Sequence, residues 1–441
     1  MSNILIIHSG LTGISNACLE ISNRLKKDGH QVYTASMNDD TAITQTVDYL
    51  EIQSITFDYN AFKTKYSNHS KGTQSNNEQY FNLLIKKLNF SAFDELLKVK
   101  QINLILIDME LHEYILYLFS KQLPFILICQ WFSIWQTENN LPPSSKHVPK
   151  SKMQLQVIWR YHALMGSIKT IANAIKSKGF NRRNFILYLK KQLNIKEQFL
   201  ISHQFPLPYS YTNLPTISTT HPNLEFANTS VANLNYAYPM VYENRVELVT
   251  ETFALDFEKM SMIIKNENKK LIVVTRSSMN KSNRKIIPNI LNALVELKDC
   301  ISIVSIGKWF DEFKAYNKHP NVFVYKSIPQ IKSLKQAHLS INHGGIHTIN
   351  ECIHFKVPML ILSGNKFDQN GCAARVHKYG CGLAYFGDNI DRVKMIALIY
   401  KLLQENSYRK KIEQLNESYI QAKKKGVLEN YINDFLKSSA I

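Results

Sequence analysis

Long apolar runs are missing from this 441-residue chain. No stretch of about 18 uncharged apolar residues occurs, so no bilayer-spanning helix is expected. Paired cysteines are missing as well. Cys18, Cys129, Cys300, Cys352, Cys372 and Cys381 include no C-x-x-C spacing, which argues against zinc and against a disulfide framework, and for reduced thiols in a cytoplasmic setting. No G-x-G-x-x-G follows the first apolar run, so the dinucleotide fingerprint is absent. Asp39-Asp40 lacks the D-x-D spacing of a metal pair, and neither a metal nor a bound cofactor is expected. Met1-Ser2-Asn3-Ile4 enters an apolar run with no basic leader, so no signal peptide is expected. Sequence repeats and low-complexity segments are also absent.

Acidic residues are scarce: 35 Asp and Glu against 53 Lys and Arg give a net charge of +18. The excess is concentrated. From Leu141 to Leu200 there are twelve Lys or Arg and one acid, Glu197, a local balance of +11. Trp131, Trp135, Trp159, Tyr161, Phe180, Phe185 and Tyr188 lie in or beside this segment. A solvated face is the plain reading; basic residues among aromatics also suit peripheral contact with an anionic membrane surface. No nucleic-acid motif accompanies the charge, so a nucleic-acid partner is not expected.

The length calls for two domains. Asn3–Ser9 reads as a buried strand, followed by the Gly10-Leu11-Thr12-Gly13 loop and an amphipathic helix over Ser15–Lys27. Gly29 ends that helix and Gln31–Thr34 starts the next strand, a βαβ unit that predicts a parallel sheet. Further strands are expected at Ile52–Phe57, Leu104–Ile107 and Phe125–Cys129, with a helix over Asn77–Val99 and a loop over 58–76. The pattern from Val148 to Leu193 is helical with a break at Gly179-Phe180. Prolines 206, 208, 215 and 222 mark a winding connection. The alternation restarts with Leu271–Thr275, then a helix over Arg284–Leu297, and strands at Ile301–Ile306 and Val322–Tyr325. The boundaries expected are a first domain over 1–240, a linker over 241–265, a second domain over 266–400 and carboxyl-terminal helices over 401–441.

The stretch Ser340–Gly382 organises the second half. A short apolar run ends in His343-Gly344-Gly345 and a helix begins near Ile346; Val357–Leu362 then forms a buried strand, and Asp368 opens another helix. Paired glycines let backbone approach a ligand, and free amides at a helix start favour an anion. The natural ligand is a diphosphate over Gly344 and Gly345 with His343 as donor. Thr348 and Glu351 share one helix face at i and i+3. The bland alternative makes Thr348-x-x-Glu351 a capping box and Asp368 an N-cap.

His343-Gly344-Gly345, Thr348, Glu351, Val357-Pro358, Asp368-Gln369, Ala373-Ala374-Arg375-Val376 and Gly380-x-Gly382 together resemble the donor-binding motif of the UDP-glycosyltransferases, over roughly forty residues. The resemblance implies an α/β chain with two Rossmann-like domains facing across a cleft, the GT-B fold, with a last helix bracing the first domain. It implies that His343 and Thr348 contact the donor diphosphate, that Glu351 accepts from the ribose, and that Asp368 and Gln369 hold the transferred sugar. Ser277, in the Thr275-Arg276-Ser277-Ser278 loop, is the implied further phosphate contact. Arg276 stands where glycine is usual and is a possible extra cation. Ser327 stands where an aromatic often stacks on the base; Ile328 and Gln330 remain to hold the base edge, and the choice of uracil or thymine stays open.

Similar enzymes often place a catalytic histidine directly after a glycine in the first loop; here Gly13 precedes Ile14. An inverting transfer needs a base beside the attacking hydroxyl. Asp108, at the end of the Leu104–Ile107 strand, is the first candidate, followed by His112 and His8. Bland readings make Asp108 a cap, His112 a surface residue and His8 a satisfied core group. The function expected is an inverting, metal-independent transfer of a hexose from a nucleotide diphospho-sugar, a co-substrate and not a cofactor, to a hydroxyl of a small hydrophobic acceptor. A membrane-surface glycolipid-forming transferase and an inactive nucleotide-sugar-binding protein are the alternatives.

Overall fold

The computed structural model describes every residue except 37–40, 55–73, 137–139, 147, 197–199, 203–208, 212–213, 227–232, 277–282, 364–366, 388 and 440–441. The first half contributes strands β1 (Asn3–His8), β2 (Gln31–Ser36), β3 (Gln53–Ser54), β4 (Leu104–Asp108), β5 (Phe125–Cys129), β6 (Leu200–Ser202), β7 (Tyr209–Tyr211), β8 (Thr216–Ser218) and β9 (Leu234–Tyr236). All but β6 and β7 form one parallel sheet in the order β3-β2-β1-β4-β5-β8-β9; β6 and β7 pair as an antiparallel hairpin. The second half contributes β10 (Lys270–Thr275), β11 (Cys300–Ser305), β12 (Val322–Tyr325), β13 (Leu339–Asn342), β14 (Met359–Leu362) and β15 (Gly382–Tyr385). These form a parallel sheet ordered β12-β11-β10-β13-β14-β15.

Parallel strands are covered by helices on both faces, so their sequences read as unbroken apolar runs. β1 shows this directly: Leu5 and Ile7 join one core cluster while Ile4 and Ile6 join the cluster on the opposite face. In the second sheet Ile272 and Val274 face one core, Leu271 and Val273 the other. Both sheets reverse direction beside their first strand, between β1 and β4 and between β10 and β13. Ligands of doubly wound sheets sit in the crevice at the carboxyl ends of strands at such reversals.

Several local expectations need correction. The helix expected over Asn77–Val99 is two, Gln74–Leu88 and Phe90–Val99. Asn89 between them is left-handed (φ 46°) and its side chain caps the second helix through the Ala92 amide at 3.4 Å. The helical pattern 148–193, by contrast, breaks where expected: it resolves into Lys152–Lys176 and Arg182–Gln192, parted at Gly179 (φ 80°). Residues 55–57 of the expected third strand, and nearly all of the expected loop over 58–76, lie outside the described residues.

Helices Arg392–Gln404, Asn406–Lys424 and Val427–Ser439 close the chain. Leu428 and Ile432 of the last one sit in the core cluster of the first sheet. Glu429 there takes both Nε and Nη2 of Arg24 at 2.7 and 2.6 Å, a bidentate pair.

Candidate active site

At the second reversal, Asn342 ends β13 and its Oδ1 accepts the Gly344 amide at 2.9 Å. Gly344 has φ 85°, and a Cβ there would stand 3.0 Å from both the Gln369 carbonyl oxygen and Ile361 Cγ2. Only glycine fits both the dihedral and the space. Gly345 caps the helix Ile346–His354 with no side-chain bond to its first amides. The cap is therefore Gly345 and not Thr348, which removes the capping-box reading. His343 lies against this mouth: a Cβ on Gly345 would be 2.9 Å from its Nε2. Uncapped amides, the helix dipole and an imidazole converge where an anion is favoured.

Glu351, one turn on, is nearly fully buried. Its Oε1 accepts from Arg245 Nη1 at 2.5 Å, and its Oε2 from Gln330 Nε2, which also reaches Thr348 Oγ1 at 3.3 Å. A carboxylate has lone pairs for further donors, so Glu351 is pre-oriented and still able to accept from a diol. Arg245 in turn pairs with Glu247, whose carboxylate accepts the amides of Ile331 and Lys332 at 2.9 and 3.1 Å. Ile328 is half-buried against the adjoining core. Asp368 and Gln369 occupy the first turn of the helix Phe367–Lys378. Gln369 is buried, and its Oε1 accepts no hydrogen bond among the described residues.

At the first reversal, β1 and β4 end together. His8 is buried with Nδ1 3.1 Å from Ser15 Oγ, and burial pushes its pKa down to about 4. Asp108 is fully buried; Oδ2 accepts the Ser9 amide and Oδ1 the Glu110 amide, both at 3.1 Å. Burial raises its pKa against the pull of those bonds. His112 is also fully buried, not at the surface, with Nδ1 2.8 Å from the Tyr211 hydroxyl, and burial lowers its pKa well below the usual histidine range. Glu110 was not singled out by sequence. Burial, then the charge of Asp108, push its pKa up to about 7; Arg182 opposes this, and Asp368 of the second domain adds to it. Asp368, on the other domain, is the smallest of these influences.

Comparison with known proteins now bears on this geometry. Residues 291–429 match the glycosyltransferase family 28 C-terminal domain. That match spans about a third of the chain and lies within its second half. Among curated proteins, an uncharacterized UDP-glucosyltransferase, YdhE, of Bacillus subtilis (strain 168) is 26% identical over 117 residues, 26% of this chain and 29% of that protein. The zeaxanthin glucosyltransferase of Pantoea ananas is 32% identical over 96 residues, 21% of this chain and 22% of its own. The chain thus matches under a third of the length of these relatives. Among solved structures, the glycotransferase of kitacinnamycin superposes with a TM-score of 0.65 at 15% identity, covering 96% of this chain and 95% of its own. The spinosyn rhamnosyltransferase SpnG, complexed with thymidine diphosphate, gives 0.57 at 12% identity over 95% and 96%. The whole chain has the GT-B fold.

Within the second half, the residues of the sequence motif lie together: His343, Gly344, Gly345, Thr348, Glu351 and Gln330 around one helix start, Asp368 and Gln369 at the next. Ser277 lies outside the described residues. Arg276 is buried with Nη1 on the Leu362 carbonyl at 2.6 Å, holding the end of β14. Arg375, quoted above only as part of the motif, proves to be an interdomain bolt. Its guanidinium stacks between Phe132 and Phe226 at 4.5 and 4.4 Å and reaches Glu225 at 3.2 Å. Two more contacts join the halves. His347 Nε2 is 2.9 Å from Gln130 Oε1, and its ring fills the space over Gly13, where a Cβ would approach to 2.3 Å. The Gly371 amide donates to the Pro143 carbonyl at 3.1 Å. Ile14 faces the first-domain core, so the position that carries a histidine in similar enzymes is turned away from the cleft.

Proposed function

We propose that this protein transfers a hexose from a nucleoside diphosphate sugar to a hydroxyl of a small lipophilic acceptor, with inversion and without a metal. One observation carries the reading most: the helix that starts at Gly344-Gly345 has no side-chain cap, and it meets the first domain through His347 and Gln130. The helix amides, His343 and the Thr348 hydroxyl hold the diphosphate and stabilise the charge that develops on it as the glycosidic bond breaks, an electrostatic contribution usually worth several kcal/mol. Glu351, fixed by Arg245 and Gln330, accepts from the ribose, and Ile328 packs beside the base. Asp368 and Gln369 hold the sugar, and the orphaned Gln369 Oε1 is the acceptor a sugar hydroxyl satisfies.

The base stands on the opposite wall. Asp108 keeps its place as the organiser of the strand end, and Glu110 beside it is the carboxylate poised to take the acceptor proton near neutral pH. His112 and His8, held neutral by burial, shape the wall. The raised pKa of Glu110, due first to burial and then to Asp108, supports this pairing. Relatives named for UDP-glucose transfer and a neighbour holding thymidine diphosphate support a pyrimidine nucleotide. The acceptor contacts come from the first domain, and the segment 141–200 supplies a face for peripheral membrane contact in a cytoplasmic setting.

Calorimetric titration with UDP-glucose and with dTDP-glucose, followed by a transfer assay over a panel of lipophilic alcohols and phenols, tests the reading. Binding with turnover that survives EDTA is expected. Binding without turnover or donor hydrolysis would leave a sugar-nucleotide-binding protein, and no binding of either donor refutes the site.

A further inference from the structure

The helix Lys152–Lys176 carries an apolar stripe on the side facing water. Met153, Val157, Tyr161, Leu164, Ile168, Ile171 and Ile175 are all exposed, from 49% at Ile168 to 73% at both ends. Their spacings alternate between three and four residues, so at about 100° per residue they fall within an arc of about 80°. Buried Leu155 and Trp159 lie on the other side of the helix, where they pack with Leu141 and beside Val148 and Phe226. The stripe is thus not the face by which the helix holds to the protein. It runs about 33 Å, a length and continuity that monomeric soluble proteins seldom leave to water.

The charges around it say what covers it. The helix carries Lys152, Arg160, Lys169 and Lys176 and no acidic residue, inside a segment whose balance is +11. A second copy laid along the same stripe would set basic residues against basic residues, with no acid on either helix to make the flanking ion pairs that register such a seam. An anionic lipid surface offers both an apolar layer and the opposite charge. Among the described residues no helix is long and apolar enough to cross a membrane, so contact with lipid through this helix would be interfacial and not spanning.

We propose that the exposed stripe of Lys152–Lys176 docks this protein onto an anionic membrane surface, its apolar side chains in the interface and its lysines and arginine on lipid phosphates. The inference deepens the membrane face proposed above for the segment 141–200 and is independent of the transfer chemistry, because it uses no residue of the donor or carboxylate clusters. It does place the bilayer beside the cleft. The helix is tied by Trp159 Nε1 to the Asn140 carbonyl at 2.6 Å, and Pro143, three residues on, contacts the donor-domain Gly371.

The test is sedimentation of the full chain with phosphatidylcholine vesicles and with phosphatidylcholine–phosphatidylglycerol vesicles, at low and high salt. The wild type is expected to partition onto the anionic vesicles, more weakly at high salt, and hardly onto phosphatidylcholine alone. Replacing Leu164, Ile168 and Ile171 together by serine should lower partitioning by roughly tenfold or more, with an unchanged melting curve because all three are exposed. The pair Arg160→Glu and Lys176→Glu should weaken it as well and so reads the charge independently of the stripe. Equal binding to both vesicle types, absence of wild-type binding, or binding unaltered in the serine variant would overturn the proposal. So would a wild-type dimer in the ultracentrifuge that the serine variant converts to monomer, which would assign the stripe to a second copy.

Discussion

Glu110→Gln separates the catalytic reading from a structural one, because the two consequences move in opposite directions. In the folded protein the Glu110 pKa is raised to about 7, first by burial and then by Asp108, with Asp368 adding from across the cleft. A carboxyl with a raised folded pKa contributes stability that is fully present below its unfolded value near 4.5 and lost as pH rises through about 7. At about 1.4 kcal/mol per pH unit, that loss reaches the order of 3 kcal/mol by pH 8. Glutamine cannot ionise, so the variant should match the wild type at pH 5 and grow more stable than it toward pH 8 in urea denaturation. Transfer should respond the other way. If Glu110 takes the acceptor proton, wild-type kcat/KM rises with pH through about 7 and then levels, while the variant loses on the order of 10²–10⁴-fold and its profile is flat. Asp108→Asn removes one of the charges that raise Glu110 and should move the inflection to lower pH. A Glu110→Gln enzyme that keeps the inflection near 7, or more than a tenth of the wild-type rate, refutes the assignment.

Other predictions follow from named contacts. His343→Ala should cost transfer about a hundredfold or more, as removal of an oxyanion donor does, and wild-type rates would take His343 out of the mechanism. Arg375→Met leaves the Glu225 carboxylate buried without its cation and should destabilise the fold by about 3–5 kcal/mol in urea denaturation; adding Glu225→Gln should restore much of that, and strict additivity of the two would deny the coupling. Gly13→Ala places a methyl 2.3 Å from the His347 ring and should disturb the contact between domains, lowering kcat/KM, with partial recovery on adding His347→Ala. A Gly13→Ala enzyme of unchanged activity would show that the ring moves aside freely.

Much of the architecture is legible in the sequence for a simple reason. A parallel strand buried on both faces writes itself as an apolar run, and Phe125–Cys129 and Val322–Tyr325 appear where their runs predict. Short edge strands write nothing of the kind: β9 is three residues, half-exposed, and β15 opens on Gly382. The break at Asn89 was hidden because apolar periodicity runs through it, and only the left-handed backbone of one asparagine marks the end of a helix. The proximity of the motif residues was readable because they are close in sequence. Glu110 was not, since its proton affinity is set first by burial, which the fold decides, and then by Asp108; the place of Arg375 between Phe132 and Phe226 is likewise decided by the fold. Periodicity also fails in a second way on Lys152–Lys176. It reports that apolar residues share a face, but not whether protein, lipid or water lies opposite.

The contacts between the halves explain how donor binding and domain position are joined. Two chain segments cross from the second domain to the first. One ends in the helix Val427–Ser439, which follows the left-handed Gly426 (φ 62°) and is held to the first domain by Arg24 and by Leu428 and Ile432 in its core. The other holds Glu243, which pairs with His354 and Lys335, and Arg245, which grips Glu351. Glu351 is the residue assigned to the ribose, so a nucleotide that draws on its oxygens competes with, or reinforces, the hold of the crossover on the donor domain. On the proposed function, the crossover segment and the ribose contact share one carboxylate, Glu351, and Arg245→Gln is expected to change donor affinity in calorimetric titration; an unaltered affinity would refute that link.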